Sequence, residues 1–201
     1  MTINVGIYIY NGVEVLDFAG PFEVFSTASR VKARMDSDVQ DLFNVFTVGD
    51  IVAPILARGG LQILPKYQIS DHPEINLLII PGGIVSDKLE KIDLISWIKG
   101  SSNVTEITAS VCTGAFLLAQ AGLLQSLSAT THWEDLDNFV SMFPDIDIKS
   151  NSRWVDEGHI VTSAGISAGI DMSLHLVSRV DNMDLAVRTA RQMEYDWNCG
   201  S

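Results

Sequence analysis

Residues 104–122 read VTEITASVCTGAFLLAQAG, and this stretch decides the fold. Its first eight residues are rich in β-branched and apolar types, as in a buried strand. Residues 113–121 form an apolar helix that Gly122 stops. Only Cys112 separates the two. A strand that runs straight into a helix presents the turn residue at the carboxyl end of the sheet, where ligands bind in open α/β folds. The turn has the architecture of a nucleophile elbow. Ser110 stands where the Gly-x-Ser-x-Gly signature has its first glycine, and Cys112 stands in place of the serine.

Working outward, Leu77-Leu78-Ile79-Ile80 is wholly apolar and ends at Pro81-Gly82-Gly83, the pattern of a strand covered by helices on both faces. Residues 3–10 read as the first strand, broken by Asn11-Gly12, and a helix is expected to open at Gly20-Pro21. Residues 43–48 predict a second strand. Residues 51–64 predict short strands or a hairpin interrupted by Pro54 and Gly59-Gly60. Helices are expected over 87–99, 132–143, 168–180 and 184–194, and further strands near 146–149, 153–155 and 160–162. Strands alternating with helices predict an α/β chain: a doubly wound, mostly parallel sheet, helices on both faces and right-handed crossovers. With no repeat, low-complexity tract or linker, residues 1–201 read as a single domain.

Hydrophobic residues make up 47% of the chain and charged residues 19%, enough for a large core. The net charge of −12 and scattered Lys and Arg argue against nucleic acid, whose phosphates need basic side chains. The opening MTINVGIYIY lacks the basic start and apolar block of a signal peptide, and no apolar run approaches the roughly 20 residues of a membrane span. Two cysteines, Cys112 and Cys199, do not make a disulfide framework. A cytoplasmic protein without membrane contact is expected.

The start of a helix suits a reactive cysteine. Unpaired N–H groups and the helix dipole favour a thiolate at Cys112, and the Thr113 N–H is a candidate donor to an oxyanion. Packing alone also accounts for Cys112, as a small buried apolar residue. Gly83 offers a second oxyanion donor or merely a turn. Asp17 is a lone acid within Val15-Leu16-Asp17-Phe18-Ala19, at the same rim of the sheet. It suits proton exchange by a partly buried carboxyl, and equally a helix cap. His132, in Thr130-Thr131-His132-Trp133, either activates the thiol or holds a helix start. His72, His159 and His175 read as structural, and Cys199, close to the chain end, as incidental. His132-Trp133-Glu134 matches half of the zinc-deaminase signature, but Pro-Cys-x-x-Cys is missing, so no metal is expected. Neither Gly-x-Gly-x-x-Gly nor a Walker motif occurs, so no organic cofactor is expected.

Taken together, these segments resemble the ThiJ/PfpI superfamily, which shares a flavodoxin-like core with class I glutamine amidotransferases. The branch most similar is that of isonitrile hydratases. The resemblance rests on Leu16-Asp17-Phe18-Ala19-Gly20-Pro21, Pro81-Gly82-Gly83, Val111-Cys112-Thr113-Gly114-Ala115, Thr130-Thr131-His132-Trp133, Ser163-Ala164-Gly165-Ile166, Gly169-Ile170-Asp171 and Glu194-Tyr195-Asp196. It implies a nucleophile at Cys112, an acid beside it at Asp17 and a site wall at Thr113. It also implies oxyanion-binding amides at Gly83 and Thr113, and a substrate-side histidine at His132. It further implies a small-molecule substrate and a homodimer. The activity implied is hydration of an isonitrile to an N-substituted formamide. The alternatives are a glyoxalase or deglycase acting on small carbonyls and a ligand- or redox-sensing domain related to AraC-type regulators. PfpI-type peptidases carry a histidine directly after the nucleophile, where this chain has Thr113. The tail at Trp197 and the segment 32–41 depart from the hydratase pattern. No DNA-binding module is expected after the core.

Overall fold

The structure, a computed structural model, describes residues 2–36, 38 and 41–197. In chain order the elements are β1 (Ile3–Tyr8), α1 (Val15–Met35), β2 (Phe43–Gly49), β3 (Ile55–Leu56), β4 (Gln62–Ile63), β5 (Tyr67–Gln68), β6 (Leu77–Ile80), α2 (Ser86–Leu89) and α3 (Ile92–Ser102). They continue with β7 (Ile107–Val111), α4 (Gly114–Gln120), β8 (Ser128–Ala129), α5 (Leu136–Met142), β9 (Asp147–Ile148), β10 (Trp154–Asp156), β11 (Ile160–Ser163), α6 (Ala168–Val180) and α7 (Met183–Gln192). Seven strands form one sheet in the order β10-β11-β7-β6-β1-β2-β5. All pairs are parallel except β10 with β11.

This order explains where a site can form. From β1 the chain moves outward to β2, returns to β6 on the other side of β1, and then continues to β7 and β11. Right-handed crossovers in opposite directions place α1 on one face and α3 and α4 on the other. α6 and α7 pack against α1. The direction of winding reverses between β1 and β6, and loops diverge beyond the carboxyl ends of strands at such a switch point, leaving a crevice. Asp17 follows β1, Gly82 and Gly83 follow β6, and Cys112 follows β7.

The central strands justify their apolar reading. All four residues of β6 and all five of β7 are buried. Each fully buried large aliphatic side chain contributes about 1.5–3 kcal/mol. No helix among the described residues is long and apolar enough to cross a membrane.

Several boundaries differ from the expectation. α1 begins at Val15 rather than at Gly20, so Pro21 lies inside a 21-residue helix. Its ring removes one helical hydrogen bond, to the Asp17 carbonyl. Gly20 before it presents no Cβ to the ring, and that same lack of a Cβ lets Ile170 of α6 approach to 2.9 Å from where one would stand. The expected helix 87–99 is two helices, because Lys91 is extended (φ −82°, ψ 94°). The break lets Lys88, 5% exposed, turn inward onto Asp50 at 3.1 Å. β7 starts three residues later than expected, since Val104 is 74% exposed. The segment 51–64 is a hairpin of β3 and β4. The short edge strand β5, and β8, which pairs with β9, carry no periodicity to announce them.

Candidate active site

Cys112 has φ 57°, a left-handed conformation that costs a non-glycine residue about 1–3 kcal/mol. Four hydrogen bonds hold it there. Its N–H reaches the Ser163 and Ala164 carbonyls at 3.1 and 3.3 Å. Its carbonyl accepts from the Thr131 hydroxyl at 2.9 Å and from the Ala115 N–H at 3.3 Å. The turn is sharp because α4 starts against the end of β6: a Cβ at Gly114 would lie 2.0 Å from the Ile80 carbonyl oxygen. The expected elbow is therefore present, and Thr131 is a support for it that sequence reasoning left out.

Asp17 lies in the first turn of α1 and is fully buried. It does not cap the helix; Glu14 holds that position, accepting from the Val15 N–H at 3.2 Å. Asp17 Oδ2 accepts from the Gly82 N–H at 3.1 Å, while Oδ1 has no hydrogen-bond partner of ordinary geometry. Burial raises its pKa to about 7, aided by the nearby Glu14 charge. The Gly82 N–H, the Ile166 N–H and the Cys112 thiol act in the opposite direction. Gly82 is squeezed between the two functional groups: a Cβ there would lie 2.6 Å from Thr113 N and 2.9 Å from Asp17 Oδ2.

The thiol contradicts one expectation. Burial raises the Cys112 pKa to about 12, and the charges of Asp17 and Asp135 add to the rise. The Thr113 N–H and hydroxyl offset only part of it. The helix dipole loses to desolvation and to the carboxylate because α4 is a seven-residue helix and Cys112 is only 7% exposed. The resting group is a thiol beside a carboxyl that titrates near neutrality.

Thr113 and Gly83 are locked together. The Thr113 hydroxyl accepts from the Gly83 N–H at 2.9 Å and donates to the Gly83 carbonyl at 3.0 Å. The Gly83 N–H is therefore already engaged by a side chain. Gly83 has φ 131°, and a Cβ there would lie 2.3 Å from the Gly12 carbonyl oxygen, so only glycine fits.

His132 is a cap: its Nδ1 accepts from the Glu134 N–H at 3.3 Å and lies 3.5 Å from Asp135 Oδ2. Gly165 presses on the ring, since a Cβ there would lie 2.1 Å from His132 Cδ2. No hydrogen bond joins His132 to Cys112 among the described residues, although both line one cleft of about 230 Å³. The rest of the lining is Glu14, Arg58, Gly83, Thr113, Glu134, Asp135 and Ile166, a small and strongly polar pocket. Arg58 Nη1 stands 3.5 Å from Glu14 Oε2. Sequence reasoning missed Glu14, Arg58, Glu134, Asp135 and Ile166. Glu134 and Ile166 lie within the His132-Trp133-Glu134 and Ser163-Ala164-Gly165-Ile166 segments without being singled out there, and no motif marks Glu14, Arg58 or Asp135; they meet where the β3–β4 turn and the segment after His132 converge on the rim.

The other histidines have structural partners. His72 Nε2 accepts from Trp97 Nε1 at 3.0 Å. His159 Nε2 lies 3.3 Å from Ser102 Oγ. His175 Nε2 lies 2.6 Å from Asp156 Oδ2 and stacks on Trp154. Among the described residues no group of three or more His, Cys, Asp or Glu is arranged to hold a metal ion. Cys199 lies outside the described residues.

Comparison with known proteins agrees with this geometry. Residues 4–179 match the DJ-1/PfpI family model. An isonitrile hydratase of Pseudomonas putida is 32% identical over 196 residues, covering 97% of this chain and 79% of that protein. The HTH-type transcriptional regulator GbdR of Pseudomonas aeruginosa is 24% identical over 193 residues, covering 96% of this chain; the chain spans about half (51%) of the regulator's length. A crystal structure of a ThiJ/PfpI family protein from Pseudomonas syringae superposes with a TM-score of 0.85 at 24% identity, covering 98% of this chain and 77% of that one. With its cysteine elbow at the carboxyl end of a flavodoxin-like sheet, and with that match over most of its length, the chain belongs to the DJ-1/PfpI family.

Proposed function

We propose that this chain is a cysteine-dependent hydratase that adds water to a small electrophile of the isonitrile type, releasing an N-substituted formamide. The observation that carries the reading is the buried pair: a thiol raised to about 12 next to a carboxyl raised to about 7. At pH 7 only about one thiol in 10⁵ is a free thiolate, so chemistry that needs a preformed thiolate is poorly served. An isonitrile needs something else. Its terminal carbon must gain both a sulfur and a hydrogen, and a thiol whose proton is held beside a base near neutrality supplies both.

In the first step the Asp17 carboxylate takes the thiol proton as Cys112 Sγ bonds to the terminal carbon. Asp17 then passes that proton to the same carbon, giving a thioimidate, R–N=CH–S–Cys112. In the second step water attacks that carbon. One water proton ends on nitrogen, and the other passes through Asp17 to the departing sulfur as the C–S bond breaks. The products are R–NH–CHO and the free thiol. The Thr113 N–H steadies negative charge on the sulfur while the proton is on Asp17, and its hydroxyl, which donates to the Gly83 carbonyl, holds Thr113 in place. His132 and Gly83 shape the cleft.

The direct test is formamide production from simple isonitriles by the wild type, Cys112→Ala and Asp17→Ala. Loss of at least about 10³-fold in both variants is expected from removing a nucleophile or its base. Retained activity in Cys112→Ala overturns the mechanism. The regulator relatives favour a second reading, a ligand-sensing domain of the same fold. A wild type that binds isonitriles without turnover supports that reading instead.

A further inference from the structure

Tyr10 lies just past the end of β1 and is buried, and a buried phenol hydroxyl needs a partner. It donates to the Pro81 carbonyl at 3.2 Å. That carbonyl and the Gly82 N–H are the two ends of one planar peptide group, conjugated through its partial double bond. The Gly82 end donates to Asp17 Oδ2 at 3.1 Å. A donor on the carbonyl oxygen draws electrons from the nitrogen and strengthens the N–H, and linked hydrogen bonds reinforce one another by about 10–30% each. The Tyr10 hydroxyl thus reaches Asp17 without touching it.

A buried cation stands behind the Tyr10 ring. Lys88 Nζ is 5.3 Å from the ring centroid and 3.1 Å from Asp50 Oδ2. Asp50 also accepts from Lys91 at 3.1 Å and from the Tyr8 hydroxyl at 2.5 Å, and the Tyr8 ring stacks on Tyr10. An ammonium group over a phenol ring draws on its π electrons and makes the O–H a better donor. Packing needs only the ring of Tyr10; its hydroxyl and the cation beside it are left over from the core.

We infer that Tyr10 is a positioning residue for Asp17, acting through the Pro81–Gly82 peptide with Lys88 behind its ring. The inference rests on the hydratase reading for Asp17 as the base. Every charge facing Asp17 opposes its ionisation: Glu14 ahead of α1, with Arg58 of the β3–β4 turn on its far side, and the Cys112 sulfur after β7, with Asp135 beyond it. The Ile166 N–H, ahead of α6, and the Gly82 N–H favour the carboxylate, Gly82 more strongly. Gly82 is the donor that Tyr10 reinforces.

The experiment follows the acidic limb of kcat/KM for a simple isonitrile, which reports the base of the free enzyme. The wild-type midpoint is expected at about 7, and its loss in Asp17→Asn identifies the group. Tyr10→Phe keeps the ring and is expected to move the midpoint upward by about half a pH unit, about a threefold loss of rate at pH 6 relative to pH 8.5. Lys88→Met moves it the same way and Lys88→Arg returns it; if Tyr10→Phe does not fold, this pair decides alone. A midpoint unmoved in Tyr10→Phe, including a loss of rate equal at every pH, marks a structural role and overturns the inference. So does a midpoint near 7 that persists in Asp17→Asn. If the wild type hydrates no isonitrile, the hydratase reading fails by itself, and the pH profile of Cys112 alkylation by iodoacetamide carries the same comparison without turnover. The same upward movement there supports the positioning role, and an unmoved profile overturns it.

Discussion

Replacing Asp17 by Asn is expected to make the protein more stable at alkaline pH while removing its activity. Asp17 is fully buried, and its pKa rises from the model-compound value of 3.8 to about 7 on folding, mainly through burial. A shift of about three units corresponds to about 4 kcal/mol spent on holding the carboxylate inside the fold above neutrality. The folded state binds the extra proton between those two values, so stability falls as pH rises from about 4 to about 7 and levels off above that. The Asn side chain keeps an acceptor for the Gly82 N–H, which spans 3.1 Å to Asp17 Oδ2, but its amide turns toward the Ile166 N–H and returns part of the gain. The net expectation is about 2–4 kcal/mol in favour of Asp17→Asn at pH 8, and little difference at pH 4. Urea unfolding of both proteins from pH 4 to 9 measures this directly. Other acids, such as Asp50 and Asp156, whose pKa values are lowered by their ion pairs, titrate alike in both proteins and cancel in the difference. A difference independent of pH, or a wild type gaining on the variant as pH rises, refutes the buried-carboxyl argument.

Three further outcomes are expected, two from the same geometry and one from the family resemblance. Thr113→Val removes both hydrogen bonds to Gly83, and the orphaned Gly83 amide should cost about 1–3 kcal/mol in chemical unfolding and lower turnover; Thr113→Ser should restore both, and failure of that rescue refutes a hydroxyl role. Gly165→Ala places a methyl 2.1 Å from His132 Cδ2, so the ring must move; a loss of about 1–3 kcal/mol in thermal unfolding is expected, and an unchanged melting temperature contradicts the packing described. The homodimer proposed from the family resemblance predicts twice the chain mass in light scattering at micromolar concentration, and a monomer there refutes it.

How much was legible in the chain depends on how local the causes are. β6 and α6 run over residues 77–80 and 168–180 as expected, because each is announced by an uninterrupted apolar run or a helical period bounded by breaking residues. α1 was misplaced by five residues because Gly20-Pro21 signals a helix start by local rules, yet here the pair serves a long-range contact with Ile170. The helix expected over 87–99 breaks at Lys91, where Lys88 and Lys91 both reach Asp50, 38 and 41 residues away. No window of sequence contains that attraction.

The candidate site divides in the same way. By itself the sequence determined that Cys112 stands on a strand-to-helix turn and that Asp17, Gly83 and Thr113 follow strand ends, because the alternation of apolar strands and helices dictates that topology. Only the tertiary structure decided the charge state. A thiol at a helix start is expected to ionise, but the strand order folds Asp17 and Asp135 around it in a nearly dry site, and desolvation with like charge outweighs a short helix dipole. Protonation depends on every charge and every water excluded within a few ångströms, and that neighbourhood exists only once distant segments have met.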